Sequence, residues 1–216
     1  GLVMHPGSGC YDGTLANGLI NRFPELENLP RCALVHRLDK DTSGTKLVAK
    51  NNTSRNYRVN EEQERRVVKK YIAVVSGETL GSFEINDPIG RDKSNRTKMS
   101  IRQDGKEALT YVKLKEKIGN YSILDIRIET GRTHQIRVHL ASKKLPIIGD
   151  KTYDPRRTIM KDSSQKIIDI VRSFPRQALH ARYLAFKCPE TDEEISFETP
   201  IPKDIKKLID MLKKHI

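Results

Sequence analysis

Two neighbouring apolar runs restrict the fold more than any other feature of this chain. Ala108 to Lys115 carries Leu109, Tyr111 and Val112, Tyr121 to Glu129 carries Ile123, Leu124, Ile126 and Ile128, and Gly119-Asn120 stands between them as a turn. The two form a hairpin, so the sheet contains antiparallel pairing. Tyr71-Ile72-Ala73-Val74-Val75, stopped by Ser76-Gly77, reads as a further strand, as do Leu179 to Phe186 and Glu194 to Glu198. The first residues, Gly1 to Pro6, begin inside what reads as a strand that runs into a Pro-Gly-Ser-Gly turn. Helical spacing occupies Thr14 through Phe23 and Ser54 through Arg65. A third helix is begun by Thr133, carries Ile136, Val138 and Leu140, and is ended by Pro146 and Gly149-Asp150. Arg156 to Arg176 is a charged loop carrying a helix, and Pro200 and Pro202 introduce a final helix from Asp204. Helices and strands interleave irregularly, which predicts an α+β fold with a largely antiparallel sheet flanked by helices and loops.

Residues 1–216 are one domain by length, large enough to close a core without staples. Cys10, Cys32 and Cys188 are an odd count with no C-x-x-C pair, which suits reduced thiols in the cytosol, and no run of 18 apolar residues or leader-like start is present. Forty Lys plus Arg against 28 Asp plus Glu leave a net charge of +12, interspersed through an apolar-patterned chain. A polyanion is the expected partner, nucleic acid ahead of a membrane surface, with a solvated basic surface as the plain alternative. Neither heptads nor an extended apolar face suggest an oligomer, so a monomer is expected.

Three sites concentrate chemistry. In Val35-His36-Arg37-Leu38-Asp39-Lys40-Asp41-Thr42-Ser43-Gly44, set before the strand-like Leu47-Val48-Ala49, Asp39 has Arg37 and Lys40 beside it, which favours the carboxylate form as nucleophile or base. The same residues also make an ordinary turn. Glu129 to His139 places Arg132, His134, Arg137 and His139 around a helix start, where free amides and guanidinium groups can seize a phosphate; an exposed basic helix face is the other reading. His134 and His139 are five apart and diverge around a helix, so no metal site is expected. Tyr71 follows a basic run, with Lys69 and Lys70 directly before it, and can stack on a base or be a half-buried core residue.

In order and wording these strings resemble the RluA family of pseudouridine synthases. The matching residues are His-Arg-Leu-Asp-x-x-Thr-Ser-Gly at 36–44, Lys-x-Tyr-x-Ala around Tyr71, Gly-Arg-Thr-His-Gln-Ile-Arg-Val-His at 131–139, Ile148-Gly149-Asp150 and Leu179-His180-Ala181. Val3 to Gly7 and Phe174 to Ala181 are closest to its RluD branch, which acts on large-subunit ribosomal RNA. The resemblance implies cofactor-free isomerisation of uridine, with Asp39 as the essential nucleophile or base, Tyr71 against the target uracil and Arg137 paired with Asp39. It further implies that Arg37 holds the flipped state and that Lys40, Arg132 and His134 contact RNA, with Leu184 as a pocket wall. Because an alpha-L type RNA-binding module usually precedes the catalytic domain in that branch, the chain is expected to be truncated at its N-terminus. A transfer-RNA substrate, a ribonuclease using His36, His134 or His139, and a non-catalytic ribosomal RNA binder are the competing functions.

Overall fold

The computed structural model describes residues 2–7 and 9–216, which group into two compact units. One comprises the chain up to Asp41 with Lys46–Val67 and Phe186–Ile195; the other comprises Thr42–Thr45, Val68–Ala185 and Ser196–Ile216.

The first unit is built on helices α1 (Leu15–Arg22) and α2 (Asn52–Gln63), with 3-10 turns at Pro24–Asn28 and Pro30–Ala33 between them. Thr14 caps α1 through a capping box: its hydroxyl accepts from the Asn17 amide, and Asn17 Oδ1 accepts from the Thr14 amide. The strand expected at the N-terminus is not formed by residues 2–6, and Gly1 and Ser8 lie outside the described residues. Instead the carbonyls of Val3 and Met4 accept the Leu15 and Ala16 amides at 2.8 and 3.0 Å, satisfying two otherwise orphaned donors of α1. Leu26, Leu29, Ala33 and Ala49 form the buried cluster, with Leu19, Phe23, Val35 and Val48 against it.

The second unit carries most of the sheet. Its strands are β1 (Ser43–Gly44), β2 (Val68–Ser76), β3 (Ser82–Ile85), β6 (Thr110–Ile118), β7 (Tyr121–Ile128), β8 (Leu179–Lys187) and β9 (Glu194–Glu198), in the order β1-β8-β2-β7-β6-β3 with β9 also on β8. A separate pair, β4 (Ile89–Arg91) and β5 (Met99–Ile101), is antiparallel. The expected hairpin is β6–β7, paired from Thr110↔Ile128 to Ile118↔Tyr121, and Gly119 at the turn adopts φ +54°. Antiparallel ladders join β2 to both β7 and β8, and the two-residue β1 is parallel to β8, so the architecture is the α+β one read from the sequence. Helices α3 (Gln135–Ser142), α4 (Gln165–Ser173) and α5 (Lys203–His215) complete the unit. In α5, Ile205, Leu208, Ile209 and Leu212 are buried at the i, i+3, i+4, i+7 spacing of a single apolar stripe. Among the described residues, no helix is long and apolar enough to cross a membrane.

Candidate active site

Asp39 belongs to the first unit. Its approach is constrained: Arg31, Cys32 and Ala33 are consecutively left-handed at φ 55, 47 and 59°, a conformation that costs non-glycine residues energy and is held here by the surrounding structure. The strand expected at Leu47-Val48-Ala49 is reduced to a single Leu34↔Val48 bridge, with the Ala49 amide donating to Ala33 O at 3.1 Å. His36 closes the loop with its two ends. Its Nε2 accepts the Leu47 amide at 2.8 Å, which leaves the ring proton on Nδ1, and its carbonyl accepts Lys46 Nζ. Burial, and next the neighbouring Arg37, lower the Lys46 pKa to about 8. Between these clasps Asp39 is half-buried while Arg37 and Lys40 are exposed.

The remaining residues of that string, Thr42 to Gly44, and Thr45 after them lie in the second unit against β8. Ser43 Oγ is 3.0 Å from His180 Nδ1, Gln177 Nε2 donates to Thr42 Oγ1 at 3.0 Å, and the Thr45 amide donates to Ala181 O at 3.0 Å. Gly44, at φ +134°, is the position that permits this approach, because a Cβ there would sit 2.3 Å from Ala181 O. Two strings 137 residues apart in sequence, Thr-Ser-Gly and Leu-His-Ala, are thus one substructure.

Tyr71 is buried at 9% exposure on β2, opposite Ile126 of β7 and Ala181 of β8. Lys69, two residues before it and so on the same face, is buried, with its Nζ 3.6 Å from the point where a side chain at Gly131 would begin. Leu184 is the β8 partner of Lys69 and is 3% exposed.

The Gly131–His139 string departs from the sequence reading. His134, left-handed at φ +57°, is the N-cap of α3 in place of Thr133, and the helix ends at Ser142, before Pro146. The exposed basic face is not formed, since every residue from Gln135 to Leu140 is buried. Gln135 is the hub that fixes this segment: Oε1 accepts from Thr130 Oγ1 and the Arg132 amide, and Nε2 donates to Leu109 O and Thr110 Oγ1, all between 2.8 and 3.0 Å. Arg132 Nε donates to Glu107 O at 2.8 Å. His139 Nε2 donates to Asp87 O and Nδ1 receives the Thr110 hydroxyl, each at 2.9 Å, and burial lowers its pKa and keeps it neutral.

Arg137 donates from Nε to Asp150 Oδ2 at 2.7 Å and from NH2 to Asp150 Oδ1 at 2.8 Å, with both side chains buried. Burial alone would push the Asp150 carboxyl up, but the Arg137 bonds and the amides of Tyr153 and Thr152 hold it below the usual carboxylate range. Tyr153 lies beneath the same guanidinium, 5.1 Å from its ring centre, and its hydroxyl is 2.8 Å from His134 Nδ1. The structure therefore brings Arg137 and His134 together through Tyr153. Asp150 and Tyr153 were not picked out for this role in the sequence, although the Ile148-Gly149-Asp150 string was visible. Gly149, at φ +85°, admits no side chain: a Cβ would lie 1.8 Å from Arg176 O. Among the described residues, no group of three or more His, Cys, Asp or Glu is arranged to hold a metal ion.

Residues 1–142 match the family model described as RNA pseudouridylate synthase, a span that includes Asp39, Tyr71 and Arg137. The chain is 40% identical over 99% of its length to ribosomal large subunit pseudouridine synthase D of Vibrio parahaemolyticus, covering 66% of that protein. It is 42% identical over 99% of its length to the protein of the same name from Xanthomonas campestris, covering 65%. The chain thus spans just under two thirds of the length of these curated relatives. Among solved structures, human RNA pseudouridylate synthase domain containing 1 superimposes with a TM-score of 0.67 at 26% identity, covering 93% of this chain and 85% of that one.

Proposed function

Since the chain belongs to the RNA pseudouridylate synthase family, we propose that it converts specific uridines of large-subunit ribosomal RNA to pseudouridine. The observation that carries this reading is the family match across residues 1–142, supported by 40–42% identity to relatives named for large-subunit ribosomal RNA. In the reaction the N1–C1′ bond of uridine breaks, the base turns, and a C5–C1′ bond forms. The C5 proton leaves and N1 gains one, so the step balances without an oxidant or cofactor.

Asp39 supplies the carboxylate, as nucleophile toward the sugar or as base. Arg137 pairs with it; a guanidinium has five donors, of which Asp150 takes two, so one arginine can orient two carboxylates. Tyr71 stacks on the target uracil, and Leu184 walls its pocket. Extruding the base from structured RNA costs a few kcal/mol, which a stacking contact worth about 1–3 kcal/mol partly offsets. Arg37 holds the flipped state, and Lys40, Arg132 and His134 contact the RNA. The protein acts as a monomer in the cytoplasm, in keeping with the free thiols of Cys10, Cys32 and Cys188.

The test is tritium release from RNA labelled at uridine C5. The protein is expected to release tritium from large-subunit ribosomal RNA and not to cleave the strand. Release from transfer RNA alone would overturn the substrate, and release from neither would overturn the activity.

A further inference from the structure

The sheet of the second unit has a second face. Strand alternation sends Tyr71 of β2, Ile126 of β7 and Val112 of β6 to one side and Lys70, Arg127 and Tyr111 to the other. On that outer side Tyr183, Lys70, Arg127 and Tyr111 are successive cross-strand partners on β8, β2, β7 and β6, a single row about 14 Å long at the usual strand spacing. Each end of the row is an aromatic ring under a cation: Lys70 Nζ lies 4.7 Å from the Tyr183 ring centre and Arg127 Cζ lies 5.7 Å from that of Tyr111. A cavity of about 650 Å³ lies along this face, lined by Lys70, Phe83, Tyr111, Lys113, Arg127 and Arg182 among others.

We propose that this outer face is a second RNA-contact surface, which takes a single-stranded segment of the substrate away from the target uridine. It rests on the reading of RNA as substrate. Charge favours that occupant. Of the ionisable side chains lining the cavity, Lys70, Lys113, Arg127 and Arg182 outnumber Glu84 and Asp125. Arg182 already neutralises Asp125 and Glu198, and Arg127 neutralises Glu129, whereas Lys70 and Lys113 have no ion-pair partner among the described residues. An exposed tyrosine beside cations, as Tyr111 is beside Arg127, is the chemistry that stacks a base while contacting its phosphate, and it is indifferent to sequence. A face meant only for solvent has no use for a tyrosine at each end of a cationic row.

The experiment is ultraviolet crosslinking of the whole chain to a uridine-rich oligoribonucleotide, with the crosslinked peptides identified, alongside binding titrations of Tyr111→Ala and of the pair Lys70→Gln and Lys113→Gln. Crosslinks to the peptides holding Tyr111 or Tyr183 are expected. Tyr111→Ala should weaken binding about fivefold or more, and the double lysine variant should flatten the dependence of log affinity on log salt by one to two. Because binding and crosslinking need no turnover, an inactive chain that still crosslinks at Tyr111 sinks the proposed activity and keeps the surface. An active chain whose crosslinks avoid both peptides and whose three substitutions leave affinity and salt slope unchanged overturns the surface alone. Circular dichroism of each variant confirms that a loss reflects the contact and not unfolding.

Discussion

Asp150→Ala removes the acceptor of two charge-assisted hydrogen bonds from the buried Arg137 guanidinium. With charge centres about 4 Å apart and an effective dielectric constant near 20, the lost attraction is about 4 kcal/mol. The amides of Thr152 and Tyr153 also lose their acceptor, Asp150 Oδ1, at 2.9 and 3.1 Å. Breaking a buried pair by deleting one member typically costs about 3–5 kcal/mol, in line with that figure. Unfolding entropy near 2.1 cal/mol/K per residue over 216 residues gives about 0.45 kcal/mol/K, so Tm should fall by about 9 °C. Differential scanning calorimetry of the wild type, Asp150→Ala, Arg137→Met and the double variant closes a double-mutant cycle. The pair should show a coupling energy of about 2 kcal/mol or more, with the double variant less damaged than the two single losses added. A Tm within 2 °C of wild type for Asp150→Ala, or additive single losses, would refute the reasoning.

Gly44→Ala should lower stability by at least about 3 kcal/mol, because a Cβ must displace Ala181 O from 2.3 Å and occupy φ +134°; urea titration showing a loss below 1 kcal/mol would contradict this. His139 binds its proton less readily folded than unfolded, so between its depressed folded pKa and the unfolded value near 6.5 the unfolded chain holds more protons and stability must rise with pH. Denaturation midpoints for wild type should therefore fall as pH drops below about 6.5, and His139→Gln should lose part of that slope; an unchanged slope would remove His139 as a contributor. Tyr71→Phe should keep most of the pseudouridine-forming activity if stacking dominates, while Tyr71→Ala loses it, and equal activity in all three forms would take Tyr71 out of the site.

The parts of the fold that were legible in sequence are those governed by local pattern. The β6–β7 hairpin and the apolar stripe of α5 follow from alternation and helical spacing, which neighbouring residues dictate. The parts that were not legible depend on distant partners. Thr133 looked like the cap of α3, yet the chain turns through a left-handed His134, because Gln135 is held by Thr110, Leu109 and Thr130. The same tertiary contacts bury a helix whose charged residues suggested an exposed face. Leu47 to Ala49 has strand composition but only one bridge, since the backbone of this loop is committed to His36 and Ala33. Asp150 stood in a visible string, but nothing local in sequence points a carboxylate at an arginine 13 residues earlier. Gly44 and Gly149 carried a signal that could have been used, because a glycine beside a chemically dense string marks a close backbone approach.

The most direct test of the account is to replace Asp39 with Asn and follow tritium release from ribosomal RNA labelled at uridine C5, with RNA affinity measured in parallel. The account predicts that release disappears while affinity stays within several-fold of wild type, since the substitution keeps the shape of the side chain and removes only its anionic oxygen. Turnover by Asp39→Asn comparable to wild type would contradict it.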